Sequence, residues 1–301
     1  MIMPLRVTFP VSQVTTWFFL PSLAAFVLAY FGAMAGVTGA FLLLPLQMSV
    51  LGYTTPGVSA TNFVYNLFAI PVTVYRYTRE GRMNWPLAAT ITLGSMPGIF
   101  VGYFLRVRYL TDPKLFMPFA GLVLLYLAWL VGRSLFGKGR AGKKPAPAIN
   151  ARIRLVEWHW RRVIYAFDGA EHGFDPRLVG LVSAGVGIVG GAYGIGGGAV
   201  LAPFCISVLR LPVHTVAGAS LFGTFMSSLV GVVVYHFGFF SHGMHTKADY
   251  LLGACFGIGG LVGGYLGART QKHIPERPIK IGIFLIVLFV AGKYLLKPFW
   301  G

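Results

Sequence analysis

The sequence predicts an all-α polytopic membrane protein, and three features of it carry that prediction. Hydrophobic residues make up 56% of the 301 positions and charged residues only 11%, against about a quarter charged in soluble domains. The apolar residues lie in long runs: Thr15–Tyr75 passes 61 residues without a Lys, Arg, Asp or Glu, where one crossing of a bilayer core needs about 20. The Lys and Arg residues that give a net charge of +17 fall between these runs, as loop positives of a membrane protein do. Nucleic acid is therefore excluded as a partner, because a nucleic-acid surface gathers its basic residues on one face of a domain.

Eight apolar blocks follow in order, at roughly 14–51, 57–78, 84–105, 114–135, 178–210, 213–240, 248–268 and 279–296. As single helices the first and fifth would each be about 50 Å long, against a core of about 30 Å. Each also carries a glycine-rich break near its middle, so each is tilted, kinked or folded back as two shorter helices. The expected span count is eight to ten. Residues 14–135 and 178–297 form two transmembrane halves, joined by a basic linker at 136–177. That linker is expected to be cytoplasmic on the positive-inside rule. Within it, Val163–Phe167, Asp168-Gly169 and Ala170–Phe174 predict a β-hairpin with an Asp-Gly turn. The alternation in Arg152–Leu155 suggests a further strand; the competing expectation is an interfacial helix carrying Ile153, Val156, Trp160, Val163 and Phe167 on one face. Cys205 and Cys255 lie inside apolar runs and are expected as buried small hydrophobes. The segment Met1–Pro10 lacks a cleavage pattern, so the first span is expected to be retained.

The two halves resemble each other. Gly32–Pro45 reads GAMAGVTGAFLLLP and Gly190–Pro203 reads GGAYGIGGGAVLAP. At the same offset Val58–Asn62 lies over Val216–Ser220, Asn66 over Thr224, and Tyr77 over Tyr235. After a shift of four residues in the loop, Gly98, Gly102 and Tyr103 lie over Gly260, Gly264 and Tyr265. Matched Gly/Pro-interrupted segments are what repeat-built transporters show, with a binding site near the midplane where the broken helices meet. Glycines for close helix packing would account for the composition, but not for breaks at matched places.

Unwinding at Gly194-Ile195-Gly196-Gly197-Gly198 frees backbone N–H groups at the start of the half-helix Ala199–Leu209, and such groups bind anions. Thr38 and Gly39 mark the weaker first-half version. All eight acidic residues lie in loops or at span edges, whereas a cation path or carboxylate proton relay needs them inside the membrane. The expected path residues are Thr38, Gly39, Asn62, Asn66, Gly194, Gly196, Gly197, Gly198, Ser220 and Thr224. Asn62 and Asn66, like Ser220 and Thr224, sit one helical turn apart on one face. Interhelical hydrogen bonding is the competing role for each of them. His214 and His236 are candidates for proton coupling, and His242-x-x-His245 has nothing nearby to complete a metal site. No motif calls for a cofactor. An intramembrane enzyme would need a nucleophile–base pair or metal ligands, and the spans offer neither. A channel, and an assembly protein acting through the linker, stay open as alternatives.

These motifs resemble the TauE/SafE family, the sulfite-exporter-like anion permeases of the 4-toluene sulfonate uptake permease superfamily. The resemblance rests on Gly194-Ile195-Gly196-Gly197-Gly198 followed by an apolar run and Pro203, on Val216–Ser220, on Gly260–Tyr265 and on the duplicated organisation. The hairpin around Tyr165–Gly169 is similar to an insertion before the second repeat of some members. The first half departs from the motif, with Val37-Thr38-Gly39 where the second has Ile195-Gly196-Gly197. The resemblance implies secondary transport of sulfite, organosulfonates or related sulfur anions across a prokaryotic plasma (inner) membrane. It implies the sulfur anion and the lipid bilayer as partners, with a homodimer among the admissible assemblies.

Overall fold

The computed structural model describes residues 6–35, 38–136, 152–240, 246–270 and 276–300. Two short strands, β1 (Arg6–Thr8) and β2 (Thr15–Trp17), pair antiparallel ahead of the first helix. The sequence gives no helix break in 14–51 before its glycines, yet helix starts only at Leu20. Thr15 and Thr16 are β-branched and pair with Thr8 and Val7, which suits an extended backbone better than a helical first turn.

Six helices follow: α1 (Leu20–Ala35), α2 (Ala40–Ser49), α3 (Gly57–Ala69), α4 (Pro71–Arg79), α5 (Trp85–Arg108) and α6 (Pro113–Phe136). The insert supplies β3 (Arg154–His159), β4 (Arg162–Phe167) and β5 (Ala170–Phe174). Five helices complete the chain: α7 (Pro176–Tyr193), α8 (Gly198–Ser207), α9 (Val213–Phe237), α10 (Tyr250–Thr270) and α11 (Glu276–Trp300). Among the described residues, seven segments are long and apolar enough to cross a membrane, α3 and α4 counting together, while α1 and α2 are shorter apolar helices.

The long first and fifth blocks fold back on themselves. Gly39 comes to lie against Ala29, and Gly196 against Gly190. After each reversal the short helix runs antiparallel to the next one: Ala40 is tied to Asn62, and Gly198 lies against Ser220. Helix starts are capped as their sequences suggest. Asn84 accepts from the Leu87 N–H at 3.2 Å and Asp175 from the Arg177 N–H at 2.9 Å, with Pro86 and Pro176 in the first turns.

Glycine ladders set the packing. Gly94, Gly98 and Gly102 of α5 press on the backbone of Gly180, Ala184 and Ile188 in α7; a Cβ on Gly98 would stand 2.2 Å from the Ala184 carbonyl oxygen. Gly259, Gly263 and Gly267 of α10 press in the same way on Ser22, Phe26 and Tyr30 of α1. Small residues at i, i+4 and i+8 let helices approach to backbone contact. The contacts place Gly94 opposite Gly259 in the two halves, a loop shift of seven rather than the four expected from the sequence. Accordingly Tyr103 is fully buried while Tyr265, its expected counterpart, is 54% exposed.

Helix directions follow from the same contacts. Ile91 meets Gly223 and Tyr103 meets Tyr235, so α5 and α9 are parallel. Phe63 meets Gly231 and Tyr77 meets Gly218, so the α3–α4 segment is antiparallel to α9. Gly121 meets Ala291 and Gly132 meets Phe284, so α6 is antiparallel to α11.

The insert is a three-stranded antiparallel sheet in the order β3-β4-β5. The Asp168-Gly169 turn takes φ of 52° and 77°, as a two-residue hairpin loop needs. Strand β3 excludes the interfacial helix, and its residues, Trp158 among them, are exposed. The inward face of β4 buries Val163, Tyr165 and Phe167 against Leu87, Val179 and Val216. The Tyr165 hydroxyl bonds the Thr215 hydroxyl at 2.8 Å; burial pushes the Tyr165 phenol up to about 12, so it stays neutral at physiological pH.

The N-terminal hairpin is held on the opposite side of the bundle. Asp249 Oδ2 accepts from Ser12 N at 2.9 Å, from Ser12 Oγ at 2.8 Å and from Val11 N at 3.2 Å, while Oδ1 caps α10 through Leu252 N at 3.1 Å. Asp249→Ala is expected to cost at least about 2 kcal/mol, a helix cap plus charge-assisted bonds. Limited proteolysis should then cut the segment before α1 faster than in the parent, and the melting temperature should fall.

Candidate functional site

The two helix breaks meet at Asn62. Its amide nitrogen donates to the Ala40 carbonyl at 3.1 Å, where α2 begins, and to the Gly194 carbonyl at 3.2 Å, where α7 ends. One turn on, Asn66 donates to the Ile195 carbonyl at 3.4 Å and to Ser228 Oγ at 3.1 Å. Both asparagines sit on α3, and helical spacing brings both to the same break. Tyr193 reinforces the junction by donating to the Phe41 carbonyl at 2.8 Å.

The break itself is shaped by glycine. Gly194 has φ +91° and Gly196 φ +76°, conformations that cost an L-residue strain. Gly197 presses on Ser95 of α5, and Gly198 on the Ser220 carbonyl of α9. On the far side Ser227 Oγ accepts from the Gly197 N–H at 3.0 Å, and Thr224 Oγ1 returns to the Ser220 carbonyl at 2.9 Å. The structure therefore brings Asn62, Asn66, Gly194, Gly196, Gly197, Gly198, Ser220 and Thr224 into one cluster spanning α3, the α7–α8 break and α9. Gly39 lies at the other break, against the Tyr65 hydroxyl, with Thr38 beside it in sequence.

The cluster is closed. Asn62 is 0% exposed, Asn66 1%, Thr224 1% and Ser220 3%. The Gly197 N–H expected to face an anion is taken by a serine hydroxyl. Among the described residues, three of the expected path residues nevertheless keep a polar atom without a hydrogen-bond partner: Thr38 Oγ1 at the first break, and Asn62 Oδ1 and Ser220 Oγ in the cluster. Unused hydrogen-bonding capacity in a water-poor interior is costly unless something else uses it. Among the described residues no acidic side chain enters the cluster; the Thr38 and Ser220 hydroxyls are free to donate to a small anion, whereas Asn62 Oδ1 can only accept.

Several cluster members were hard to single out by sequence. Ser227 and Ser228 are polar residues within a span, but their pairing with Gly197 and Asn66 joins positions 30 and 162 residues apart, beyond any local pattern. Ser59 and Tyr235 support the same break by donating to the carbonyls of Ala192 at 2.8 Å and Gly191 at 2.9 Å. Arg106, at the end of α5, is fully buried, although its sequence neighbourhood suggests a loop. His236 bonds the Tyr250 hydroxyl at 2.7 Å in an exposed setting and not in the cluster. His242 and His245 lie outside the described residues.

Comparison with known proteins agrees with this architecture. The chain is 24% identical over 271 residues to the "Probable membrane transporter protein YjnA" of Bacillus subtilis (strain 168), covering 89% of this chain and 96% of that one. No solved structure matches it significantly. The model of the family described as "Sulfite exporter TauE/SafE" matches residues 22–294, and with that match the chain belongs to the TauE/SafE family of multi-pass membrane transporters.

Proposed function

We propose that this protein is a secondary transporter of a small sulfur-containing oxyanion, of the sulfite or organosulfonate class, working by alternating access. The observation that carries it is the closed polar cluster at the meeting of two helix breaks, built of neutral polar groups with two unpartnered hydroxyls, Thr38 and Ser220, and, among the described residues, free of acidic side chains. The family's description as sulfite exporters supports a sulfur anion as the substrate. The arrangement of the helices supports the mechanism: α3 and α9, matched in sequence, run antiparallel, as do α6 and α11. Inverted halves of this kind exchange outward and inward openings by rocking one against the other, and Asn62, bonded to both breaks, stands at the joint.

Orientation follows from charge. On the side of the insert lie Arg76, Arg79, Arg82, Arg133, Arg177, Arg210, Arg269 and Lys280, besides the insert's own arginines. The opposite side carries fewer, among them Arg108, Lys114, Lys247 and Lys293. The positive-inside rule puts the insert in the cytoplasm and the β1–β2 hairpin outside, in a bacterial-type plasma membrane.

Counterflow in proteoliposomes tests the proposal. Vesicles preloaded with unlabelled sulfite should accumulate labelled sulfite, with saturation and with competition by other oxyanions. Linear, non-saturating flux without exchange would instead mean a channel. Absence of any flux with sulfite, thiosulfate, taurine and sulfoacetate would remove the substrate class.

A further inference from the structure

The guanidinium of Arg106 is fully buried and half satisfied. Nη1 donates to the Leu110 carbonyl, and the Cζ atom lies 3.6 Å from the centre of the Phe116 ring. Among the described residues Nε and Nη2 have no hydrogen-bond partner. These two nitrogens share one edge of the planar group, the edge that grips two oxygens of an oxyanion side by side. Among the described residues the ion pairs join Arg76 and Arg82 to Glu80, and none involves Arg106. A buried charge with no counter-ion is heavily penalised, so a site built this way calls for an anion from elsewhere.

The position is informative. Along α5, Ser95 touches the second break at Gly197, and Arg106 stands eleven residues further towards the side of the N-terminal hairpin, a rise of about 16 Å. Between them is Tyr103, whose ring packs 4.7 Å from that of Tyr235. Tyr235 in turn donates to the Gly191 carbonyl next to the break. Arg106 lies within electrostatic reach of Tyr235 and of Tyr53, and the Tyr53 hydroxyl accepts from Thr61, which holds the Asp249 backbone. The Tyr103–Tyr235 pair thus stands as a partition along α5 between the buried guanidinium and the neutral cluster.

We propose that Arg106 is a second anion station, on the hairpin side of that partition, binding a small oxyanion through Nε and Nη2 before or after it occupies the cluster at the helix breaks. The station rests on the anion-transport reading. The competing role is structural, with Arg106 merely closing the end of α5 and stacking on Phe116.

Two variants of the full-length protein in detergent separate the roles, with sulfite and chloride as probes and melting temperature and calorimetric affinity as readouts. Arg106→Lys keeps the charge and loses the fork. It should melt like the parent without anion, bind sulfite at least about tenfold more weakly and keep its response to chloride, which needs no fork. Arg106→Met removes the buried charge. Its melting temperature without anion should equal or exceed that of the parent, and sulfite should raise it less than in the parent, leaving only the shift due to the cluster at the helix breaks. Parental sulfite affinity in either variant would overturn the station while leaving the transport reading intact, and an Arg106→Met protein that melts lower yet binds normally would assign the residue to the helix end. A parent that neither binds nor exchanges sulfite would remove the transport reading, and the station with it.

Discussion

Asn62→Asp is expected to reduce sulfite counterflow by more than about a hundredfold in protein that still reaches the membrane. The substitution is nearly isosteric, so packing is not what it tests. Its two donated bonds, to the carbonyls of Ala40 and Gly194, are lost together. Each buried carbonyl left without its partner costs about 1–3 kcal/mol. An ionised carboxylate also places a like charge where an anion must pass, worth several kcal/mol more against binding. A tenfold loss corresponds to about 1.4 kcal/mol, so a hundredfold needs about 2.8 kcal/mol, less than the two effects together. Counterflow per mole of inserted protein is the measurement. Asn62→Ser, which installs the residue type found at the matched position 220, should retain more activity than the carboxylate. Parental exchange in Asn62→Asp would take Asn62 out of the path and return it to a purely interhelical role.

The fold was legible where its signal is local. Apolar runs bounded by Lys and Arg mark the spans, because lipid admits little else. The Asp168-Gly169 turn announces its hairpin, because two successive positive φ angles leave few alternatives. Asn62 and Asn66 were legible as a pair, because helical spacing alone puts them on one face. What escaped the sequence depends on contacts across the bundle. Arg106-Val107-Arg108 has the look of a loop charge cluster, yet α5 continues through it, and Phe116 on the next helix turns Arg106 into a buried group. The register of the second glycine ladder escaped for a related reason: α10 has glycines at 253, 257, 259, 260, 263, 264 and 267, so several alignments fit until contact with Ser22, Phe26 and Tyr30 selects one. The relative direction of the halves was open as well, because each long block could cross once or fold back, and only the reversals at Gly39 and Gly196 decide it.

Those reversals lead to the largest stability effect expected in the chain. Gly194→Ala should destabilise the protein by about 2–5 kcal/mol, because two independent penalties coincide. At φ +91° a side chain costs about 1–2 kcal/mol in backbone strain. The added methyl would also stand 2.3 Å from the Ser59 carbonyl oxygen. That neighbour is backbone within α3 and cannot rotate away, so the clash must be relieved by moving α3 from the break, and overpacking of this kind costs about 1–3 kcal/mol. Moving α3 would also stretch the bonds from Asn62 and Asn66, so a folded fraction should show weakened counterflow. Two further glycines separate the penalties. Gly52 has φ +68° and open space around it, so Gly52→Ala should show the strain alone. Gly292 lies within α11 with nothing near its missing methyl, and Gly292→Ala should stabilise by up to about 1 kcal/mol. Melting temperatures in one detergent should therefore rank Gly292→Ala above the parent, Gly52→Ala modestly below it and Gly194→Ala far below. If Gly194→Ala melted level with Gly52→Ala, α3 would not be pinned against the break, and the closed cluster could open without moving the helix that carries both asparagines.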